Sequence, residues 1–274
     1  MTNRWLMGAA AAALTVAGAF AALAADLPTR KEAPAPVFVP PPFTWTGFYV
    51  GLNAGGVWGT GSTTTTLYNA GFPFLTTYWP NGNFGGDQSG FIGGGQAGYN
   101  WQSGAFVLGV ETDFDWTSLS KNSSFVGPTF LDPLGRNDFF TENGSRKLDW
   151  LGTTRLRAGF VATPDNRLMF YGTGGFAYGG GSRHFDVFDS LNGWGWFGNG
   201  GSSTRTGWTI GAGVEYAITN NITLKGEYLY YDLGSTNTVT VANAAANTLW
   251  PASYATAKIN FDGSIFRVGA NYKF

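Results

Sequence analysis

The chain has 274 residues, of which 12% are charged, 42 are glycine and none is cysteine, with a formal net charge of −1. The missing cysteine excludes a disulfide framework, a thiolate metal site and a bacterial lipoprotein anchor, and the near-neutral balance offers no basic patch for nucleic acid. Charged residues are about half the usual ~25% and glycine about twice the usual ~7%, which suits strands that face lipid and neighbouring backbone.

Residues 1–25 start with Arg4, run through an apolar, Ala-rich stretch and end in Ala22-Leu23-Ala24-Ala25 before Asp26. This pattern predicts a secretory signal peptide with a small-residue cleavage site, and its removal leaves 15 basic against 17 acidic residues. Residues 26–44, with Pro28, Pro34, Pro36, Pro40, Pro41 and Pro42, predict an extended, Pro-rich periplasmic linker, a passive tether more than a partner-binding segment. Beyond the signal no apolar run reaches the ~18 residues of a membrane helix, so strands are the available way to span.

From residue 45 to 274 the sequence predicts one domain of eight strands, at about 48–58, 90–102, 105–117, 147–162, 167–178, 205–218, 222–233 and 263–274. Three connections are short and built of turn formers, at Gln102-Ser103-Gly104, Thr163-Pro164-Asp165-Asn166 and Thr219-Asn220-Asn221. The other four, about 59–89, 118–146, 179–204 and 234–262, exceed twenty residues. Short turns alternating with long loops are the pattern of an all-β, eight-stranded, antiparallel up-and-down transmembrane β-barrel, with turns in the periplasm and loops outside the cell.

Alternation assigns the two faces. Phe106, Leu108, Val110, Thr112, Phe114 and Trp116 fall on one face of the third strand, with Glu111, Asp113 and Asp115 on the other. The fourth places Leu148, Trp150, Gly152, Thr154, Leu156, Ala158 and Phe160 outside and Asp149, Arg155 and Arg157 opposite. Glu215, Lys225, Glu227, Arg267 and Lys273 join the inward set, so the lumen is expected to hold a nearly balanced charge network in which Arg155 and Arg157 meet the three carboxylates. Such a network either fills a narrow barrel as a plug or lines a small charge-selective pore.

Trp45, Phe48, Trp58, Tyr99, Trp101, Trp116, Trp150, Tyr216, Tyr228, Tyr230, Tyr272 and Phe274 lie near expected strand ends, as aromatic girdles would. Trp79, Trp194, Trp196, Phe197 and Trp250 fall in loops, where packing on one another is the favoured reading over a binding surface.

Three chemical motifs are set aside. Gly93-Gly94-Gly95-Gln96-Ala97-Gly98 matches a dinucleotide fingerprint in letters, but a strand follows it instead of a helix. His184 is the only histidine, and Ser182 and Asp186 beside it in sequence do not make a triad, so no catalytic residue is assigned. Glu111, Asp113 and Asp115 share a wall with arginines, which argues for ion pairs over calcium or glycosidase chemistry. Neither a metal nor a cofactor is expected.

The stretches Ala22–Pro28, Trp45–Gly55, Gly90–Gln102, Val110–Phe114 and Arg267–Phe274 resemble the Omp25/Omp31-like small outer membrane β-barrel proteins of alphaproteobacteria, a porin family. The resemblance implies an eight-stranded barrel in the outer membrane of a Gram-negative cell, in contact with outer-membrane lipids. It also implies insertion by the barrel assembly machinery, which reads a final strand such as Phe266, Val268, Ala270, Tyr272 and Phe274. An abundant, non-enzymatic protein of the cell envelope that presents its loops at the surface is then the expected function. A narrow porin for ions or small hydrophilic solutes and a loop-mediated adhesin or receptor are the alternatives, and a monomer is favoured.

Overall fold

The computed structural model describes residues 42–60, 62–68, 83–132, 134–189, 191–198 and 200–274. The expected export signal, all but the end of the Pro-rich linker, and Trp79 lie outside the described residues. The strands are β1 (Gly47–Gly59), β2 (Ser62–Tyr68), β3 (Asn83–Gly85), β4 (Gln88–Ser103), β5 (Phe106–Val126), β6 (Phe130–Leu131) and β7 (Asn137–Asp138). They continue with β8 (Phe140–Val161), β9 (Leu168–Asp189), β10 (Gly195–Gly198), β11 (Gly201–Ala217), β12 (Ile222–Ala242) and β13 (Tyr254–Lys273), with one helix, α1 (Ala244–Leu249). No described helix is long and apolar enough to cross a membrane.

The eight long strands β1, β4, β5, β8, β9, β11, β12 and β13 pair antiparallel in chain order, and β13 pairs back onto β1, so their hydrogen bonds form a ring. Each coincides with one of the eight expected runs, and the three short turns stand where the sequence places them. Outward side chains form two aromatic rows. Phe106 and Trp116 are ten residues apart on β5, about 33 Å of strand, and a tilt near 40° reduces that to the roughly 25 Å height of an outer-membrane apolar band.

Much of what the sequence predicts as loop is strand. β5, β8, β9, β12 and β13 run well past the outer aromatic row, with β2 and β10 paired alongside them. The local cause is composition: Thr236, Thr238, Val239, Thr240 and Val241 are β-branched, and stiff side chains of this type favour the pleat. The helix α1 is set off by Asn243, whose side chain accepts from the Ala246 N–H.

Three β-bulges shift the faces, one of them on β12 between Asp232 and Ser235. Between Trp116 and Leu119, β5 carries an extra residue relative to β8, and between Arg146 and Trp150, β8 carries one relative to β9. At the β5 bulge, the Thr117 hydroxyl accepts from the Leu119 N–H and the Ser118 hydroxyl accepts from the Phe91 N–H, replacing lost ladder bonds. The bulges correct the assignment of the fourth strand: Leu148 is buried inside, while Asp149 faces outward in a 2.6 Å ion pair with Lys147. Trp45 is also corrected. It is not a girdle residue but fills the mouth at the short-turn end, its indole N–H donating to the Asn166 carbonyl at 2.8 Å. Phe43, expected in the extended linker, packs edge-on against it.

The interior is layered. Phe43, Trp45, Val107, Val161, Met169 and Ala217 close the lower end. Above the charged layer, Val57, Ile92, Leu119, Leu148, Leu151, Leu229, Ile259 and Ile265 form a second apolar layer. A third, with Leu67, Phe130, Phe140, Phe185, Trp194, Trp196 and Trp250, closes the outer end. The glycines within β4 serve this packing, since a Cβ at Gly98 would collide with the Tyr49 hydroxyl.

The bulge correction has a direct check in a chain without cysteine. Folded Asp149→Cys is expected to react with a water-soluble maleimide, and Leu148→Cys to stay unreactive until the protein is denatured; the reverse order would restore the unbulged register.

Candidate functional site

The middle layer brings together Glu111, Asp113, Asp115, Arg155, Arg157, Glu215, Lys225, Glu227 and Arg267, all nearly free of solvent. They come from five strands: β5 supplies three carboxylates, β8 two arginines, β11 Glu215, β12 Lys225 and Glu227, and β13 Arg267. Period-2 geometry puts each set on one face, and antiparallel register sets Glu111 directly opposite Arg155 and Glu227 opposite Arg267.

Arg155 is the hub. It donates to Glu111 at 2.6 Å, Asp113 at 2.8 Å and Glu227 at 2.7 Å. Arg267 spans Asp115 at 2.5 Å, Asp113 at 2.7 Å and Glu227 at 2.9 Å. Arg157 reaches Glu215 at 2.6 Å and Glu111 at 3.2 Å, and Lys225 reaches Glu111 at 2.9 Å. Four cations are thus shared among five carboxylates, leaving one excess negative charge to be absorbed by neutral donors.

Those donors are the part that sequence reasoning missed. The Tyr49 hydroxyl donates to Glu111 at 2.8 Å while accepting from Arg157 at 2.7 Å. Thr223 and Asn271 donate to Glu215, Thr153 donates to Asp113, and Gln96 donates to Asn271. Arg157 also lies over the Tyr171 ring, with its guanidinium carbon 4.0 Å from the centroid. All share the inward parity of the charged residues, which was the available signal. Lys273, assigned to the same network, sits apart from it at the short-turn end, 5.6 Å from the Phe43 ring centroid.

Every cation in this layer is occupied by carboxylates, while Oδ1 of Asp113, Oδ1 of Asp115 and the Nε atoms of Arg155 and Arg157 have no hydrogen-bond partner among the described residues. Two small cavities above it each hold about 20 Å³, room for roughly one water. Among the described residues no cluster of His, Asp or Glu is arranged to hold a metal. His184 faces outward and pairs with Asp186 at 2.8 Å, on a strand and without a bond to Ser182 among the described residues. Gly93–Gly98 lies within β4. The loop tryptophans pack together, Trp194 against Trp250 at 4.7 Å and Trp196 against Trp250 at 6.0 Å, while Phe197 is exposed.

A second kind of buried charge lies near the outer end. Glu142 accepts from the Thr65 hydroxyl at 3.0 Å, its other oxygen has no partner, and no cation is in ion-pair range among the described residues. Burial pushes its carboxyl up to about 8, against the opposing effect of the Thr65 bond.

Two measurements follow from these geometries. Arg155→Met leaves buried carboxylates short of their shared cation and is expected to lower unfolding stability by about 3–5 kcal/mol, read from urea-induced unfolding in lipid vesicles; a loss below about 1 kcal/mol would contradict the hub role. For Glu142 the protonated form is the one the fold prefers, so its contribution is whole below the usual 4.5 and is lost as pH rises through about 8. Stability followed by tryptophan fluorescence is expected to fall across that window in the wild type and to stay flatter in Glu142→Gln.

The family described as "Outer membrane protein beta-barrel domain" matches residues 10–274. The "31 kDa outer-membrane immunogenic protein" of Brucella melitensis is 40% identical, across 95% of this chain and 97% of its own. The "22 kDa outer membrane protein" of Rhizobium leguminosarum bv. viciae is 34% identical, across 75% of this chain and 70% of its own. The "25 kDa outer-membrane immunogenic protein" of Brucella melitensis is 30% identical, across 92% and 91%. Among solved structures, OprG of Pseudomonas aeruginosa is 10% identical with a TM-score of 0.39, across 85% of this chain and 98% of its own, a likeness that carries no functional argument. An antiparallel ring of strands with apolar residues outside, matched along nearly its whole length to outer-membrane proteins, places this chain in the outer membrane β-barrel domain family, among the Omp25/Omp31-like proteins.

Proposed function

We propose that the protein is a closed, eight-stranded, up-and-down transmembrane barrel that does not conduct, and that it contributes to envelope structure while holding a folded cap at the cell surface. One observation carries this reading: the charge network fills a cross-section of the lumen, and apolar layers lie above and below it. A conducting pore needs binding weak enough for ions to leave. Here each cation already holds two or more carboxylate contacts, at 2.5–3.6 Å.

An eight-stranded barrel is just wide enough for its own side chains. Filling it with paired charges makes the wall stiff from within, which suits a structural role. The packed tryptophans make the surface part a folded body more than a set of flexible binding loops. The names of the relatives, outer-membrane immunogenic proteins, support surface display. In this reading residues 1–25 direct export, residues 26–44 lead into the barrel from the periplasm, and the outward face of the last strand serves assembly.

Single-channel recording in planar bilayers tests the proposal. The wild type is expected to be silent, and Arg155→Ala with Arg157→Ala to admit irregular current. Discrete, ion-selective openings in the wild type would replace this reading with the narrow porin.

A further inference from the structure

The wall has a seam. β11 pairs with β12 only up to Trp208 opposite Asp232, and β10 takes over along β12 from Gly198 opposite Thr240. Between them the Asp232/Ser235 irregularity, with Gly234 at φ 75°, turns β12 aside. Ser235–Val239 therefore have no described strand partner on that side, while β11 continues upward on β9 as far as Gly201 opposite Arg183.

Two arginines bridge the seam. The Arg205 Nε donates to the Thr236 hydroxyl at 3.3 Å, and the Arg183 Nε to the Thr238 hydroxyl at 3.0 Å, with Arg183 Nη1 reaching Ser203 at 3.0 Å. Arg205 is only 7% exposed, and both of its terminal nitrogens lack an acceptor. Its guanidinium carbon lies 3.7 Å from the Phe261 ring centroid. Among the described residues neither arginine has a carboxylate in ion-pair range, in contrast to the layer below, and Arg146 stands opposite Arg183 in register. A buried guanidinium beside a second one, with no counter-charge, is costly unless an anion joins them.

The height narrows the class of anion. Arg205 lies three residues beyond Trp208, in the outer aromatic row, or about 10 Å along the strand, near the height of membrane headgroups. Its side chain is on the inward face shared by Thr209 and Glu215, so that an anion reaches it through the seam. We infer that the seam between β11 and β12 is a phosphate-binding site, formed by Arg183 and Arg205 with the hydroxyls of Ser203, Thr236 and Thr238. The planar guanidinium fork matches two phosphate oxygens, and the hydroxyls supply further donors. Half-buried Arg183 is the outer contact and Arg205 the inner one, freed toward the anion as the bridging threonine bonds are exchanged.

The phosphate can come from a lipid headgroup or from solution, and the test separates them. The protein is folded in nanodiscs of phosphatidylcholine alone or with phosphatidylglycerol, and its unfolding midpoint is followed with inorganic phosphate or with chloride at equal ionic strength. A rise with inorganic phosphate assigns a free anion; a rise only with phosphatidylglycerol assigns a lipid. In either case Arg205→Gln is expected to weaken the response at least tenfold in apparent affinity, Arg205→Lys to weaken it less, and the outward Lys258→Gln to keep it. No response to either probe, or an undiminished one in Arg205→Gln, overturns the proposal. Should Arg205→Gln not fold, native mass spectrometry of the wild type decides: no phosphate or phosphatidylglycerol adduct above the level of Arg183→Gln overturns it as well.

Discussion

A guanidinium removed from water must find its counter-charges within reach, and in a ring of eight strands that reach is the width of the lumen. Arg155 and Arg267 each touch carboxylates from two other strands, so their side chains tie together parts of the wall that are not hydrogen-bonded to one another. The rest of the interior depends on this layer. The apolar layers above and below keep water from competing for its bonds, and low local dielectric makes each bond stronger while making a missing one more costly.

The same constraint explains the division between wall and core. Between the two aromatic rows lipid sees mainly apolar and aromatic side chains, with the outward Thr112 and Thr154 hydroxyls bonded to each other, while the charged side chains are turned inward and neutralised there. Glycines on the inner face leave room for the long charged and aromatic residues opposite them, as Gly98 does for Tyr49. Above the membrane the strands carry on without lipid, and the interior there is closed by rings: Phe140, Trp194, Trp196 and Trp250 replace ion pairs as the filling.

Strand alternation made the ring and its two faces legible, because a period of two leaves each charged residue only one dry or wet side to occupy. It failed where the count changes. Nothing in Lys147-Leu148-Asp149 announces that β8 gains a residue, so the assigned face flipped there. Nor did alternation separate strand from loop above the membrane, where a sheet in water no longer needs an apolar outer face and residues such as Asn237 and Ser145 sit outward. Trp45 misled for another reason: an aromatic near a strand end fits a girdle and a plug equally well, and only the fold tells which side of the wall it takes. The neutral partners Tyr49, Asn271 and Gln96 share the inward face but carry no charge to draw attention.

Water passage is the most direct measure of whether the charged layer closes the lumen, since water needs no selectivity and passes any continuous polar path. Stopped-flow light scattering of proteoliposomes under an osmotic step is expected to give the same shrinkage rate with and without the protein. A rate that rises in proportion to the amount of folded protein would contradict a sealed interior and would mean that the ion pairs line a path through the barrel.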